Sequence, residues 1–403
     1  MTTTKINEHK KLNVPNLRFP EFQGEWEKQK LCDISSIVGR IGFRGYTTND
    51  IVEKGMGAIA LSPTNIVNNQ LTYDKDNTYI SMSKYEESPE IMIKRGDVIF
   101  VKTGSTVGKV AYVDKMICKT TLNPQVVVLK NIKCDNYILS VIMSTRNFQN
   151  KIQRITVGGA VPTLSQVAMG NIFISLPTAK EQEKISKFIS LLDERIATQN
   201  KIIEDLKKLK SAIVEKLYKE IQGTWYSYRQ LFSIINERNK QLEYSNVLSA
   251  SQERGMVSRE DLNLDIHFER SNISTYKIVK NGDYVIHLRS FQGGFAFSEK
   301  TGICSPAYTV LRPNNLLVYG YLSNYFTSRD FVKSLIIVTY GIRDGRSINV
   351  DEWLDMKVVI PSKEQQTHIV NVIESIENKI KNEETYSNCL LNQKQYLLRQ
   401  MFI

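Results

Sequence analysis

The sequence has few of the residues that build disulfide scaffolds and metal centres. It has five cysteines among 403 residues, namely Cys32, Cys118, Cys134, Cys304 and Cys389, and no two of them form a Cys-x-x-Cys pair. This scarcity excludes a disulfide framework or a zinc ribbon and fits a reducing compartment. The four histidines are far apart in sequence, so we expect no bound metal.

Long apolar segments are also absent. No apolar run approaches the roughly 18 residues of a membrane span, and the polar N-terminal residues lack the apolar core of a secretion signal. We therefore expect a cytoplasmic protein without a membrane partner. The composition, 41% hydrophobic and 24% charged, is typical of globular domains, and the length predicts two or three of them.

Recognisable catalytic motifs are missing too. The segment Thr103–Val110, TGSTVGKV, resembles a phosphate-binding loop. That motif requires glycine where Thr103 stands and serine or threonine where Val110 stands, so nucleotide hydrolysis is not expected. No cysteine–histidine or serine–histidine–aspartate set has a usable spacing. We predict no catalytic residue in this chain.

Basic residues outnumber acidic ones. Lysine and arginine total 53, aspartate and glutamate total 42, and the formal net charge is +11. This excess favours an anionic partner, either nucleic acid or an acidic surface, without choosing between them.

The chain contains an internal repeat with an offset of 184 residues. Residues 176–196, LPTAKEQEKISKFISLLDERI, align without gaps with residues 360–380, IPSKEQQTHIVNVIESIENKI. Upstream of these segments, Gly96-Asp97 corresponds to Gly282-Asp283, and a glycine-rich turn follows each pair. Trp26 and Trp225 lie near the starts of the two halves. Such self-similarity indicates two copies of one structural unit.

Two proline-containing turns occupy corresponding places in the repeat. Ser305-Pro306-Ala307-Tyr308 is one residue away from the motif with which amino-methyltransferases hold a flipped base, and Asn123-Pro124-Gln125-Val126 is a poorer match. The second proline of that motif is missing from both segments, and no glycine-rich loop for a methyl donor accompanies them. We interpret the pair as a shared structural turn.

Each half ends in a segment with a heptad pattern. Apolar residues recur at three- and four-residue spacing, interrupted by Gln199 and Lys210 in the first segment and by Glu383 and Ser387 in the second. A helix of about 40 residues overhangs a domain of this size, so pairing of the two helices is favoured over packing of each on its own domain. The predicted seam residues are Ile185, Ile189, Leu192, Ile196, Ile203, Leu206, Ile213, Leu217, Ile369, Ile373, Ile376, Ile380, Leu390 and Leu397.

These patterns predict an α+β protein with two β-rich α+β domains in pseudo-twofold repeat, separated by two long helices that form an antiparallel coiled coil. The expected divisions are a polar N-terminal extension (1–16), a first domain (17–178), a central spacer helix (179–223), a second domain (224–361) and a C-terminal spacer helix (362–403).

Duplication, basic charge and polar loops without a catalytic set indicate a DNA reader with two recognition domains. Lysine and arginine contact phosphates, whereas arginine and glutamine also read guanine and adenine. The candidate contacts lie beside glycines in predicted loops, although solvated surface charge is an alternative explanation for each one. They are Arg40, Arg44, Lys102, Ser105, Lys109, Arg289, Ser290, Gln292, Arg343 and Arg346.

The sequence resembles the specificity subunits of type I restriction-modification systems. The resemblance rests on the opening Val14–Glu27, on Gly96–Phe100 with Thr103-Gly104-Ser105, and on the pattern Pro-x-x-x-Glu-Gln-x-x-Ile that begins at Pro177. The second copy departs from this pattern, because Gln365 stands where Glu181 does. The resemblance covers nearly the whole chain apart from about 13 N-terminal residues.

This resemblance implies that the two domains are target-recognition domains, each reading one half of a split, asymmetric site in double-stranded DNA. It implies that the coiled coil sets the gap and docks two methyltransferase subunits for N6-adenine methylation, joined by two restriction subunits with motor and nuclease activities. S-adenosylmethionine, ATP and Mg²⁺ are then expected on the partner subunits and no cofactor on this chain. An enzyme with an unrecognised site and a coiled-coil scaffold are the alternatives.

Overall fold

The computed structural model describes residues 13–73, 76–251, 254–262, 270–287, 294–340 and 347–403. The chain divides into two compact units. Unit 1 contains the residues up to Thr198 together with Ser387–Ile403, and unit 2 contains Gln199–Tyr386. Each unit therefore combines a globular α+β part with segments of both long helices. These two helices, predicted from the heptad pattern, span Ala179–Lys219 and Lys363–Met401.

The globular part of unit 1 is mainly β-sheet. Its shorter α-helices are Leu31–Ile34, Met82–Glu86, Asn136–Ser144, Arg146–Ile155 and Gln166–Gly170. Its strands are Glu27–Lys30, Ser36–Gly39, Ile51–Val52, Ala58–Leu61, Ile66–Val67, Gln70–Leu71, Thr78–Ile80, Val98–Val101, Val110–Tyr112, Thr120–Leu122, Val126–Lys130 and Phe173–Leu176.

The globular part of unit 2 has the same character with shorter helices. Its short α-helices are Tyr228–Leu231, Arg329–Ser334 and Val350–Asp355. Its strands are Thr224–Ser227, Phe232–Ile235, Leu248–Ser251, Gly255–Ser258, Lys277–Val279, Tyr284–Ile286, Phe295–Phe297, Gly302–Cys304, Thr309–Pro313, Thr339–Tyr340, Ser347–Ile348 and Lys357–Ile360.

The central sheets of the two units share one topology. Four antiparallel strands follow one another in equivalent order, and in unit 1 two more strands extend the sheet. In unit 1 the order is Ser36–Gly39, Val126–Lys130, Val98–Val101 and Val110–Tyr112. In unit 2 it is Phe232–Ile235, Thr309–Pro313, Tyr284–Ile286 and Phe295–Phe297.

The central strands are apolar throughout because both faces of each sheet are covered. Phe100 and Val127 belong to one hydrophobic core of unit 1, whereas Ile99 and Val128 belong to another. Successive side chains of a strand point to opposite faces, so a continuous apolar run fills both cores. The β-branched residues of these runs also favour the extended backbone.

The repeated Gly-Asp pair is a turn that leads into a central strand. Gly96 and Gly282 have φ angles of 92° and 93°, a left-handed backbone that side chains rarely adopt. Asp97 accepts a hydrogen bond from the backbone N–H of Lys94 at 2.8 Å, and Asp283 does the same with Lys280. The repeat at these positions therefore has a local structural cause.

The repeated glutamine fastens the start of each long helix to its own globular part. Gln182 accepts a hydrogen bond from the backbone N–H of Asp135 at 2.8 Å and donates to the carbonyl of Pro177. Gln366 accepts from Val318 at 2.8 Å and donates to the carbonyls of Leu316 and Pro361. Both amides are buried, so each unit orients its helix in the same way.

The two long helices are antiparallel, as the repeat predicts. In unit 2, Lys210 contacts Glu377 at 2.5 Å, and Gln199 lies against Glu383. In unit 1, Lys394 forms an ion pair with Asp193. All fourteen predicted seam residues are buried or half-buried.

The seam also contributes to the globular cores, so the two explanations of the heptad pattern are not exclusive. Ile185 and Ile189 belong to the core of unit 1, which also contains Met401. Ile369 and Ile373 belong to the core of unit 2 in the same way. The beginning of each helix thus packs on its own domain.

The two tryptophans near the starts of the halves are not structurally equivalent. Strand pairing aligns Glu27 with Leu176 and Thr224 with Ile360, so Trp26 precedes its strand whereas Trp225 lies inside one. Trp26 is buried and donates to Glu181 at 3.3 Å, whereas Trp225 is 65% exposed. Their similar positions in the sequence are therefore coincidental.

Candidate nucleic-acid interface

The glycine-rich loop of unit 1 is held between two other loops. Gly104 donates its backbone N–H to the carbonyl of Pro162 at 2.9 Å, and Leu164 donates to the carbonyl of Lys102 at 2.8 Å. On the other side, Lys102 donates its backbone N–H to the carbonyl of Gln125 at 2.8 Å. We name the segments 102–109, 123–125 and 157–163 the loop cluster.

The candidate contacts of the loop cluster differ in their surroundings. Ser105 is exposed and Lys102 is half-buried. The Lys109 ammonium donates to the carbonyl of Ile66 at 3.3 Å, so part of its hydrogen-bonding capacity is used within the domain. Lys102 and Ser105 are therefore the more available of the three to a ligand outside the protein.

Sequence reasoning missed the contribution of the 123–125 turn. The Asn123 side chain accepts a hydrogen bond from the backbone N–H of Gln125 at 2.9 Å and donates to its side-chain oxygen at 3.3 Å. Gln125 is exposed. The available signal was the Asn-Pro-Gln string itself, but its proximity to Gly104 depends on how the strands assemble.

The 157–163 turn places apolar side chains in solvent. Val157 and Thr163 exchange backbone hydrogen bonds of 3.0 and 2.8 Å, which closes a short hairpin. Val157 is 69% exposed and Val161 is 60% exposed. These exposed valines give the loop cluster apolar side chains in addition to Lys102 and Ser105, and cationic, hydroxyl and apolar side chains are all types that contact phosphates or base edges.

Arg40 was predicted as a DNA contact, but the structure places its side chain inside unit 1. Arg40 is 6% exposed and donates to the carbonyl of Leu122 at 2.9 Å and to the Thr121 hydroxyl at 3.1 Å. Burial lowers the pKa of its guanidinium from the ordinary value. Arg40 thus holds the strand that leads into Asn123, and we do not carry it into the proposed contact set.

Arg44 remains closer to the surface. Its guanidinium donates to the carbonyl of Glu87 at 3.2 Å and lies 3.7 Å from the Glu90 carboxylate. Its charge is therefore partly balanced within the domain, at an ion pair that water screens.

The other five candidates lie outside the described residues. They are Arg289, Ser290, Gln292, Arg343 and Arg346.

Among the described residues, no group of three or more histidine, cysteine, aspartate or glutamate side chains is placed to hold a metal ion. In the same part of the chain, no helix combines the length and apolarity needed to cross a membrane.

Two copies of one α+β scaffold, each built together with segments of both long helices, define a duplicated α+β protein. Residues 23–208 match the model of the type I restriction modification DNA specificity domain. This match and the curated relatives confirm the expected resemblance to the specificity subunits of type I restriction-modification systems.

Two relatives come from Methanocaldococcus jannaschii. The type I restriction enzyme MjaVIII specificity subunit is 24% identical over 330 residues, which cover 72% of this chain and 74% of the relative. The putative type I restriction enzyme MjaX specificity subunit is 23% identical over 412 residues, which cover 92% and 91%.

Solved structures share the fold. The S subunit of a type I restriction-modification system from M. genitalium aligns with a TM-score of 0.53 at 14% identity, covering 97% of this chain and 99% of that one. A chain from a structural study of assembly and conformational transition in the type I R-M system aligns with a TM-score of 0.57 at 15% identity, covering 94% and 97%. The α+β fold with two long paired helices is thereby confirmed.

Proposed function

We propose that this chain is the sequence-specific DNA-binding subunit of a type I restriction-modification complex and performs no catalysis itself. Each recognition domain reads one half of a bipartite, asymmetric site in double-stranded DNA. The repeated scaffold is the observation that carries this proposal, because two equivalent domains with different loops suit two different half-sites. The net charge of +11 favours a polyanionic ligand.

The first domain is proposed to contact DNA through the loop cluster. Lys102 supplies a cation for phosphates, and Ser105 supplies a hydroxyl that accepts or donates at phosphates or base edges. Corresponding contacts in the second domain are assigned to Arg289, Ser290, Gln292, Arg343 and Arg346 from the sequence alone.

The long helices are proposed to set the gap between the half-sites and to dock two methyltransferase subunits. Support for docking comes from apolar side chains that point away from the seam. Leu191, Ile202 and Leu209 of the first helix are 55%, 41% and 51% exposed, and Leu391 and Tyr396 of the second are 40% and 61% exposed. Exposed apolar residues at helical spacing suit a helical partner.

The chemistry of the complex is assigned to the partner subunits. Two methyltransferase subunits with S-adenosylmethionine would methylate adenine at N6, and two restriction subunits with ATP and Mg²⁺ would translocate and cleave unmethylated DNA. This chain would contribute only the choice of site. Purified without partners, it is therefore expected neither to bind S-adenosylmethionine nor to methylate DNA.

The spacing role is tested by lengthening the seam without breaking it. One heptad is inserted after Gln199 and a second before Glu383. Because the two helices are antiparallel, these insertions lengthen both helices at the same level and preserve the pairing of their seam residues. Seven residues add about 10 Å at 1.5 Å each, or about three base pairs at roughly 3.4 Å each. We expect methylated sites whose gap is about three base pairs longer, with both half-sites unchanged. A gap that stays the same would contradict the spacing role.

A four-residue insertion after Gln199 alone is the control. It displaces the seam of one helix relative to the other, so we expect loss of assembly rather than a new gap. DNA binding by the intact complex provides a second check, since a salt dependence equivalent to fewer than about three phosphates would favour a scaffold over a reader.

A further inference from the structure

The 123–125 turn of the first domain has a counterpart in the second. Asn123 accepts a hydrogen bond from the backbone N–H of Gln125 at 2.9 Å, and the Ser305 hydroxyl accepts one from Ala307 at 3.3 Å. Both turns lead directly into equivalent central strands. The structure thus supports the interpretation of the two proline-containing segments as a shared turn.

The exposed side chain on this shared turn differs between the domains. Gln125 and Ala307 occupy the same place, and both are exposed. The turn keeps its hydrogen bond from a backbone N–H to a side-chain oxygen in both domains. Its exposed residue changes from an amide to a methyl group, so each domain presents a different chemistry there. Two domains that read different half-sites need such a difference.

The amide of Gln125 is held in place before any ligand arrives. The Asn123 side chain donates to the Gln125 side-chain oxygen at 3.3 Å. Gly104 has a φ angle of 104°, and a Cβ built there would lie 3.3 Å from the Gln125 side-chain nitrogen. Glycine therefore leaves room for this amide, and orientation before binding reduces the entropy that recognition costs.

We propose that Gln125 reads an adenine in the half-site of the first domain, with Asn123 as its positioning residue. A glutamine amide matches adenine in the major groove, because its oxygen accepts from N6–H and its nitrogen donates to N7. The Gln125 oxygen keeps a second lone pair for adenine while it accepts from Asn123. The backbone N–H of Lys102 donates a hydrogen bond to the carbonyl of Gln125, so the Lys102 side chain supplies a neighbouring cation for phosphate. This inference rests on the proposed DNA-reading function.

The test uses the intact complex with its methyltransferase partner and reads N6-methyladenine across the genome. Gln125→Ala is expected to relax one position of one half-site from adenine to any base, with the other half unchanged. Ala307→Gln is the matched control and should leave the half read by the first domain intact. Lys102→Ala should weaken binding at all sites without changing the motif.

Binding to synthetic sites separates base reading from a general loss of affinity. Replacement of the recognised adenine by 7-deazaadenine removes the N7 acceptor. We expect this to weaken binding by the wild-type complex by no more than the roughly 5- to 150-fold effect of a complete bidentate contact, because the hydrogen bond from N6 remains. The Gln125→Ala complex should respond much less, and Asn123→Ala should give an intermediate response.

Several outcomes would overturn the inference. An unchanged motif and unchanged sensitivity to 7-deazaadenine in Gln125→Ala would do so. If Gln125→Ala does not assemble, Gln125→Glu serves instead, and a shift from adenine towards cytosine is expected because a carboxylate accepts from cytosine N4. Failure of both variants to assemble would make Gln125 a structural residue. If deleting the gene alters no methylated motif, the proposed function fails rather than this assignment alone.

Discussion

Gln199 and Glu383 occupy equivalent positions in the two repeats, 184 residues apart, and contact each other in unit 2. The Gln199 amide donates to the Glu383 carboxylate at 2.5 Å and to its backbone carbonyl at 3.2 Å. Antiparallel pairing of two repeated helices brings such repeat mates into contact. The ion pairs follow the same relation, since Lys210 and Glu377 are the repeat mates of Lys394 and Asp193.

The first prediction concerns this pair of repeat mates. Gln199→Glu places two carboxylates in one layer of the seam, so we expect a lower thermal unfolding midpoint. Adding Glu383→Gln restores one amide and one carboxylate in exchanged positions and should recover most of the loss. The unfolding midpoints of the wild type, the single variants and the double variant measure the coupling between the two residues. No recovery in the double variant would show that the two residues are not coupled.

The second prediction is the pH dependence of the same contact. Hydrogen bonds from Lys379 and Gln199 lower the pKa of the Glu383 carboxyl from its ordinary value of 4.5. A lowered pKa in the folded state means that ionised Glu383 contributes stability above pH 4.5, and this contribution is lost as the pH falls through the lowered value. The stability difference between wild type and Glu383→Gln should therefore shrink below pH 4.5. A difference that is constant from pH 7 to pH 3 would contradict this.

The third prediction concerns the repeated glutamine. Gln366 is 1% exposed and bonds three backbone groups. Gln366→Leu leaves those groups unpaired inside unit 2, so we expect the free energy of unfolding to fall by about 1–3 kcal/mol. The exposed neighbour Gln365 offers a matched control, because Gln365→Leu should change the free energy of unfolding by less than about 0.5 kcal/mol. Denaturant titration of the two variants compares them directly, and equal effects would exclude an anchoring role for Gln366.

The fourth prediction concerns the segment before the first strand. Arg18 contacts Glu181 through two hydrogen bonds of 2.7 Å, and Glu181 is fully buried. Among the described residues, Arg18→Ala leaves the buried carboxylate with only the longer bond from Trp26, so a loss of roughly 3–5 kcal/mol in unfolding free energy is expected. Lys184→Ala removes an exposed ion pair with Glu21 and should cost less than about 1 kcal/mol. A small loss in both variants would show that Glu181 finds another partner.

Local sequence patterns predicted much of the fold. The heptad predicted both long helices because the spacing of seam residues is a property of the helix itself. The alignment of Gln182 with Gln366 indicated a repeat, although the carbonyls and amides that these side chains bind belong to other segments and have no sequence signature.

The candidate site was less predictable because sheet assembly determines which loops meet. Gln125 lies beside Gly104 through strand pairing, which joins residues far apart in sequence. Arg40 follows a strand next to glycines, as exposed loop residues often do, but its carbonyl partner at Leu122 is 82 residues away. Trp26 and Trp225 differ for the same reason, since strand register rather than sequence position defines their environments.

The most direct test of the central claim is single-molecule sequencing of host DNA with and without this gene, reading N6-methyladenine. The account predicts that one split motif loses methylation on deletion. It also predicts that exchanging residues 26–177 for those of another specificity subunit changes one half of that motif only. If no motif changes on deletion in a host whose methyltransferase partner is active, or if the exchange alters both halves, the chain is not a reader of two half-sites.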